Sequence, residues 1–535
     1  LKKVNTAKTL NKIGRKLFFV GYIIILTMLG IQLFFGDQIA FLINSLESEN
    51  VHEGSEESIV IGYAFAPSRL DPVEYNPTTR SHIVDIYEGL VSTDRNLKTV
   101  PALAVSWGLK DSNTWEFRLR PNIYFHNGDE VTVEDVLSSI DNAMTDTDSQ
   151  LKNLLGTIDE VKAVGEDRVQ VVTKVPDPLL LSKLAVTYIT PEDHFDLSTP
   201  IGTGPYRFVS RDDNELKLEA FHNYWGGPSY YHDATLRTIP NRRDRIKALE
   251  EGTIDLLVNV PPNVACSVTE NYDDLEGCTD LKTEGLEIKS IPSLEVSFLI
   301  FNFDNELFKD KKIRESLKKA LDPQTFVDLA FGFARPVGQY VSSGVFGFNP
   351  EIEASTYDIE SAEEIKKQFE GSFERIAVTL DFPMGTEAVA YYVQQQFKEF
   401  GIDTDLNPLE GIDFLEKIES GESDLYFLGW RSELGDSGDF LEAIAHTRQT
   451  RNQKGLLNGA NYSNDEVDKL IEDSQQELDT EKRLQALQEA MRLITEEDIL
   501  GIPLFESETI YAFKDSVHFE PRVDGYVFVS QLHHQ

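Results

Sequence analysis

The strongest candidate for covalent chemistry is Ser437, within residues 435–438 (Gly-Asp-Ser-Gly), an order that also surrounds some serine nucleophiles. A serine becomes a nucleophile when a histidine base takes its proton and a third group orients that base. Here Asp439 follows instead of a further glycine. Upstream of Ser437, no histidine and aspartate stand in the order found in serine proteases, within a series of strands typical of their β-barrels. The sequence therefore predicts that the protein is not an enzyme.

A second segment that could bind a chemical group is glycine-rich, residues 202–206 (Gly-Thr-Gly-Pro-Tyr). It lacks the lysine and the following serine or threonine of a phosphate-binding loop, so we interpret it as a tight turn. The two cysteines, Cys266 and Cys278, are too few for a metal site, and the ten histidines form no spaced cluster near them. We therefore expect neither a cofactor nor a metal.

The charge of the chain excludes one class of partner. The formal net charge is -41, and so acidic a surface repels the phosphate backbone, which makes nucleic acid an unsuitable partner. Hydrophobic residues make up 41%, enough to build folded cores. Residues 1–16 depart from the acidic character, because they contain six basic residues and no acidic one.

The next segment predicts a membrane anchor. Residues 17–35 carry no charge, and as a helix they would span about 28 Å, close to the thickness of the hydrocarbon core. Basic residues before this segment and acidic residues after it favour a cytoplasmic N-terminus. We therefore predict an uncleaved signal anchor, followed by a linker over residues 36–57 and an extracytoplasmic folded part. A cleaved signal peptide is the alternative, although the apolar run is long and no A-x-A-like site follows it. Outside the cytoplasm, Cys266 and Cys278 could form a disulfide or remain two separate thiols.

Strands and helices are mixed along the rest of the chain. A strand over residues 377–381, a helix over 387–400 and a strand over 424–429 predict parallel pairing in an α/β sheet. Thr132 and Ser463 each stand three residues before an acid, which predicts capped helix starts. The apolar stripes of the helices are expected to form core rather than cofactor contacts.

An ordered set of short motifs resembles the extracellular solute-binding proteins of oligopeptide and dipeptide ABC importers (the family 5 type). The motifs occur in matching order over roughly residues 58–530 and are Leu70-Asp71-Pro72, Ile86-Tyr87-Glu88-Gly89-Leu90, Pro101-Ala102-Leu103-Ala104, Ser106-Trp107, residues 115–120, 125–129, 133–136 and 202–206, Phe301-Asn302, Ile313-Arg314, Ala320-Leu321-Asp322, Tyr462-Ser463-Asn464 and Ile502-Pro503-Leu504. No single motif is specific, but the ordered set is.

The resemblance implies an α/β fold: a two-lobed periplasmic-binding-protein-like clamp of type II, in its large three-subdomain variant, preceded by the N-terminal transmembrane helix. Two crossing strands would join the lobes, and closure would remove the ligand from water. The expected division is a basic cytoplasmic segment (1–16), an anchor (17–35), a linker (36–57), lobe one (58–296 with 503–535, including an inserted subdomain over about 90–200) and lobe two (297–502).

The resemblance also assigns ligand-binding residues in lobe two, within residues 429–440. In the family, a tryptophan in this segment walls the ligand pocket, and Trp430 matches it. An aspartate three residues later binds the ligand's α-ammonium, and this chain has Glu433 at that position. Arg431 is a candidate cation for the cleft, and Asp436 is a further candidate in the same loop. The alternatives are a solvated surface acid for Glu433 and core packing for Trp430.

In lobe one, Tyr63, Phe65 and Ala66 match the end of the family's first strand, whose backbone approaches the ligand. Main-chain hydrogen bonds there would permit broad specificity. Dipeptide binders hold the ligand carboxylate with an arginine after the strand over residues 377–381, but residues 382–386 contain none. This departure favours longer peptides or another cationic ligand.

We therefore expect a monomeric substrate-binding component that delivers short peptides to ABC importer permease subunits. Its expected location is the extracytoplasmic face of the bacterial cytoplasmic membrane, in the periplasm or at the cell surface, with the N-terminal helix in the membrane. The alternatives are a cargo such as a sugar, opine or metal chelate, and a ligand-sensing receptor of the same fold without an importer.

Overall fold

The structure is a computed structural model that describes residues 57–192, 197–265, 284–368, 377–451 and 453–535. The described strands are β1 (Ser58–Tyr63), β2 (Val91–Thr93), β3 (Thr99–Pro101), β4 (Ala104–Leu109), β5 (Thr114–Leu119), β6 (Ile158–Ala163), β7 (Arg168–Thr173), β8 (Tyr206–Arg211), β9 (Glu215–Ala220), β10 (Asp233–Thr238), β11 (Leu256–Val258), β12 (Leu286–Phe301), β13 (Ala334–Pro336), β14 (Ala377–Pro383), β15 (Asp403–Leu409), β16 (Leu425–Arg431), β17 (Gly501–Lys514), β18 (Val517–His518) and β19 (His533–His534).

The described helices are α1 (Pro77–Ile83), α2 (Val133–Thr145), α3 (Leu180–Ala185), α4 (Arg242–Glu250), α5 (Pro262–Ala265), α6 (Lys311–Ala320), α7 (Pro323–Leu329), α8 (Ile359–Lys367), α9 (Glu387–Phe400), α10 (Gly411–Ser420), α11 (Gly438–Phe440), α12 (Asp465–Ser474) and α13 (Thr480–Arg492). Helix α11 continues into a π-helical turn, Leu441–Ala445, and α13 into a second one, Leu493–Glu497.

A mixed sheet of eleven strands runs through the described part of the chain. Its order is β15-β14-β16-β12-β17-β11-β1-β10-β9-β8, with β13 added on β17. The two long central strands, β12 and β17, pair antiparallel with each other, and each also pairs with a different neighbour: β12 with β16, and β17 with β11. They connect what we call the first half (β1 and β8–β11, with α1 and the C-terminal segment over residues 515–535, which pack on these strands) and the second half (β14–β16, with the loop that follows β16).

The pairing of β12 and β17 is interrupted where the chain passes between the halves. The register shifts between Pro292 and Val296, so residues 293–295 of β12 bulge out of the ladder. A bulge bends a strand and increases its twist. Glu295 stands in this irregular stretch and lies opposite Arg431 of β16.

The second half contains the parallel unit that the sequence predicts. Strand β14 pairs parallel with both β15 and β16, and α9 connects β14 to β15. Val393 and Phe397 bury the inner face of α9, and the helix ends at Gly401, whose φ of 95° suits glycine. Because parallel strands end at one edge of a sheet, the segment after β16 leaves the sheet at the edge where binding sites form in such folds.

A separate four-stranded sheet, β4-β5-β7-β6, has its own core around Phe117, Val136 and Val169. Helix α2 packs on it and starts at Thr132, whose hydroxyl accepts from the backbone N–H of Asp135 in a capping box, as predicted.

Two glycines explain the turn over residues 202–206. A Cβ atom on Gly202 would lie 2.0 Å from the carbonyl oxygen of Ile86, and one on Gly204 would lie 2.3 Å from that of Asp85. These glycines therefore permit close backbone contact.

One predicted cap is wrong. Helix α12 is capped by Asn464, not by Ser463, because the Asn464 side chain accepts from the backbone N–H groups of Glu466 and Val467. Residues 17–35, with the predicted anchor, and Cys266 and Cys278, with the predicted disulfide, lie outside the described residues. None of the helices in the described ranges has the length and apolar character of a membrane span.

Candidate functional site

Two adjoining cavities lie between the first and second halves of the large sheet. The Arg80 cavity, of about 400 Å³, is lined by Arg80 and Tyr526 from the first half and by Glu433 from the second. The Glu295 cavity, of about 510 Å³, is lined by Tyr63 and Tyr526 on one side and by Glu295 and Arg431 on the other. Asp524 and Tyr526 belong to both linings, so the cavities are neighbours.

An ion pair from the second half marks the junction of the two cavities. Arg431 ends β16, and its Nε lies 2.8 Å from Oε1 of Glu433. The Nη2 of Arg431 donates to the carbonyl oxygen of Asp524 at 2.5 Å, which joins the second half to the C-terminal segment of the first. Both side chains of the ion pair are mostly buried.

A tight turn directs Glu433 into the Arg80 cavity. The N–H of Ser432 donates to the carbonyl oxygen of Leu294, and the N–H of Gly435 donates to that of Ser432 at 2.9 Å. Gly435 has a φ of 67°, a conformation that glycine adopts without steric cost. Burial raises the pKa of Glu433, and the nearby Arg431 opposes that shift. A cationic donor from a ligand would favour the ionised carboxylate further.

Glu295 presents a second carboxylate to the other cavity. Burial raises its pKa, and the charge of Arg431 opposes this shift. Its Oε1 lies against Gly429, where an added Cβ would come within 2.7 Å of that oxygen. The backbone of β16 therefore approaches the carboxylate closely because residue 429 has no side chain.

Trp430 and its partner Asp439 lie behind the cavity walls rather than in them. The indole Nε1 of Trp430 donates to Oδ1 of Asp439 at 3.3 Å, and the backbone N–H of Phe440 donates to the same oxygen at 2.6 Å. Burial raises the pKa of Asp439 to about 8, with Asp436 contributing in the same direction. Trp430 packs edge-on against Phe440, at 6.1 Å between ring centres.

Asp436 has contacts different from those expected of a ligand-binding residue. It is buried, and its two carboxylate oxygens accept from Nη1 and Nη2 of Arg483 at 2.6 and 2.8 Å. It also accepts from the backbone N–H of Gly438. Ser437 is fully buried, and its Oγ lies where a side chain on Gly347 would be, so no substrate could reach it.

The residues predicted in the first half lie at the Glu295 cavity or beside it. Tyr63 is buried and lines the cavity, and Phe65 lines it with 71% of its surface exposed. Ala66 is exposed and lies outside both linings. The structure thus brings Tyr63, Phe65 and Arg431 to one cavity and Glu433 to the other.

Sequence reasoning missed several lining residues: Arg80, Glu88, Glu295, Asp524 and Tyr526. Glu88 accepts from Nε1 of Trp225 and from the hydroxyl of Tyr224 at 3.0 Å each, and burial raises its pKa to about 7. The motif around Glu88 contributes to the family resemblance without indicating a role, and the other four stand in segments without a recognisable pattern.

Among the described residues, no group of three or more His, Cys, Asp or Glu side chains is arranged to hold a metal ion.

Residues 98–452 match the family model of bacterial extracellular solute-binding proteins, family 5 (middle region), and the chain belongs to this family. It is 24% identical to heme-binding protein A of Haemophilus influenzae, over 92% of this chain and 93% of that protein. It is 25% identical to the nickel-binding protein NikA of Staphylococcus aureus, over 74% of this chain and 78% of that protein. A solved structure of the periplasmic binding protein DppA of Helicobacter pylori with the peptide STSA matches 90% of this chain and 99% of that chain, with a TM-score of 0.70 and 22% identity.

Family membership fixes the class of activity. The protein is the solute-binding component of an ABC importer, it acts outside the cytoplasm, and it is not an enzyme. Its mixed α/β architecture is the periplasmic-binding-protein-like fold of the solved relatives. It binds a small-molecule ligand and a permease.

Proposed function

We propose that the protein captures short peptides between two lobes and delivers them, as a monomer, to the permease of an importer. The observation that carries this proposal is the position of Glu433, which projects from the second half into a cavity walled by the first. In the family this position holds the carboxylate that binds the α-ammonium of a peptide. We propose lobe boundaries at residues 58–296 with 503–535 and at 297–502.

The carboxylate of Glu433 is placed to bind a cationic group of the ligand. Arg431 forms an ion pair with this carboxylate, and it also contacts the backbone of Asp524 across the cleft. A ligand ammonium would take over part of this role, because an ionised carboxylate accepts several charge-assisted hydrogen bonds. Glu433 would then change its partner when cargo binds.

The size of the site supports a cargo longer than a dipeptide. The two cavities, of about 400 and 510 Å³, adjoin at Asp524 and Tyr526, and each alone falls in the range of ordinary ligand pockets. The central residues of a longer peptide could extend into the Glu295 cavity, along the backbone that follows Tyr63 and the end of β16. Main-chain contacts of this kind leave side-chain specificity broad.

The test is a binding titration of the purified protein with pooled peptides of two to eight residues. Ligand at about 100 times its dissociation constant should add about 2.7 kcal/mol of stability, which raises the melting temperature. N-acetylation of the peptide and the Glu433→Gln variant should each weaken binding by about 1.5–3 kcal/mol, and the two effects together should not add. Glu364→Gln, an exposed acid on α8, is the control.

Other outcomes would point to the alternatives. Binding of heme, a nickel complex or a sugar, without any response to peptides, would keep the clamp and reject the peptide cargo. Peptide binding without uptake by cells that carry the partner permease would favour a ligand-sensing receptor. Equal affinity for free and N-acetylated peptides would remove the assigned role of Glu433.

A further inference from the structure

Arg80 is a buried arginine whose guanidinium faces the Arg80 cavity. It belongs to α1 and has 3% of its surface exposed. Its Nη1 donates to the carbonyl oxygen of Val186 at 2.8 Å, and its guanidinium carbon lies 3.9 Å from the ring centre of Tyr188. A guanidinium carries five N–H donors, and this bond uses one of them.

The other charged groups that line the same cavity already have partners. Glu433 is paired with Arg431, and Asp524 lies 2.6 Å from Nη2 of Arg522. Glu88 accepts from Trp225 and Tyr224, and Asp94 accepts from the backbone N–H groups of a turn. Within the described ranges, no carboxylate oxygen lies within 4 Å of Arg80. Glu433 is near enough for the charge of Arg80 to favour its ionised form, but the two side chains form no direct ion pair. A buried guanidinium without a direct ion pair is costly, so an anion in contact with Arg80 would be stabilised.

A second donor at the cavity lacks a partner. The hydroxyl of Tyr75 is buried without a hydrogen-bond acceptor in the described part of the chain, and its ring centre lies 5.9 Å from the guanidinium carbon of Arg80. Buried polar groups in folded proteins are normally satisfied by protein, water or ligand. Tyr75 and Arg80 line the same cavity, so both donors could meet one acceptor group.

We infer that the Arg80 cavity is a carboxylate subsite, in which Arg80, assisted by Tyr75, binds the C-terminal carboxylate of the cargo. This inference rests on the proposed function and narrows it to peptides that carry both an ammonium and a carboxylate. Residues 382–386 contain no arginine for this purpose, and Arg80 supplies one from the opposite half. Because Glu433 and Arg80 extend from different halves, a zwitterionic cargo that contacts both would favour the closed cleft.

Two other roles for Arg80 have to be distinguished from this one. Arg80 could only hold α1 against the segment that contains Val186 and Tyr188, as its present contacts do. It could also pair directly with Glu433 when the halves approach further. Neither role makes binding depend on whether the cargo ends in a carboxylate or an amide.

The experiment compares each bound peptide as free acid and as C-terminal amide, with the wild type, Arg80→Gln, Arg80→Lys and the control Arg207→Gln. Arg207 is a largely exposed arginine in β8 whose partner is Glu219. Amidation should weaken binding to the wild type and to the control by about tenfold or more, the loss typical of one charge-assisted hydrogen bond. Arg80→Gln should bind acid and amide alike, and Arg80→Lys should keep part of the preference for the acid.

The possible results separate these roles of Arg80 from one another. Equal binding of acid and amide by the wild type would overturn the inference and leave the peptide function standing. A uniform loss for both ligands in Arg80→Gln, with the preference for the acid retained, would assign Arg80 a structural role. Failure of the wild type to bind any peptide would reject the proposed function and the subsite together. The comparison of the two ligands needs no substitution, so it remains valid if Arg80→Gln does not fold.

Discussion

Replacement of Asp436 by asparagine tests whether this residue binds the ligand or supports the loop that presents Glu433. Its carboxylate forms a buried two-bond pair with Arg483, at 2.6 and 2.8 Å, and also accepts from Gly438. Asparagine keeps the shape and one acceptor oxygen but leaves the guanidinium without a counter-charge. The loss of one partner from a buried ion pair costs about 3–5 kcal/mol.

The melting temperature of the ligand-free protein should therefore fall. For a unit the size of the proposed second lobe, about 200 residues, 1 kcal/mol corresponds to about 2–4 °C, so the expected decrease is roughly 6 °C or more. Asp473→Asn is the matched control, because its partner Lys469 is exposed and such a pair contributes less than about 1 kcal/mol. The double variant Asp436→Asn with Arg483→Met should recover part of the loss, since it also removes the unpaired charge.

The assay is thermal unfolding with and without cargo, together with a binding titration for each variant. An unchanged melting temperature of the Asp436→Asn protein, together with weaker binding, would refute the structural role. That result would return Asp436 to the group of ligand-binding residues that the sequence suggested.

Two further predictions concern the surroundings of the site. The folded-state pKa of Asp439, about 8, exceeds its ordinary value of 3.8, so the stability that this group contributes is present at low pH and is lost as pH rises from about 4 through 8. Asp439→Asn should therefore gain melting temperature relative to the wild type between pH 5 and pH 8, and a constant difference over this range would contradict the raised pKa. Gly202→Ala should lower the melting temperature, with a cost of about 1–3 kcal/mol, because its Cβ would collide with the carbonyl oxygen of Ile86. Gly108→Ala, at a position with open space around it, is the control, and an equal effect of the two substitutions would refute the argument.

The local elements of the second half follow from the sequence because their signals are local. Helix α9 spans the predicted residues 387–400, and the strands around it pair parallel as the β-α-β order requires. The predicted cap of α12 is wrong by one residue, because Ser463 and Asn464 are both capable caps and only the geometry selects Asn464.

Long-range pairing is harder to predict. The long central strand β12 begins at Leu286, ten residues before the continuous apolar run that starts at Val296. The added stretch contains Lys289 and Pro292, which do not suggest a strand, and it is extended because β17 pairs with it. No local pattern can report a partner that stands more than 200 positions away in the chain.

The contacts within the candidate site are also long-range, so the sequence does not predict them. Resemblance identifies Glu433 and Trp430, but it cannot show that Arg431 pairs with Glu433 or that Trp430 lies behind the wall with Asp439. Arg80 is about 350 positions from Glu433, and only the folded chain brings them to one cavity. Charged residues that are distant in the sequence and meet only in the folded protein leave no recognisable spacing pattern.

The most direct test of the central claim is a crystal structure of the protein with a peptide that it binds. We expect the peptide between the two halves, with its ammonium within hydrogen-bond distance of Glu433 and a carboxylate within that distance of Arg80. A peptide in the cleft with its ammonium away from Glu433 would contradict the assigned polarity. A ligand bound outside the two cavities would contradict the account of the site as a whole.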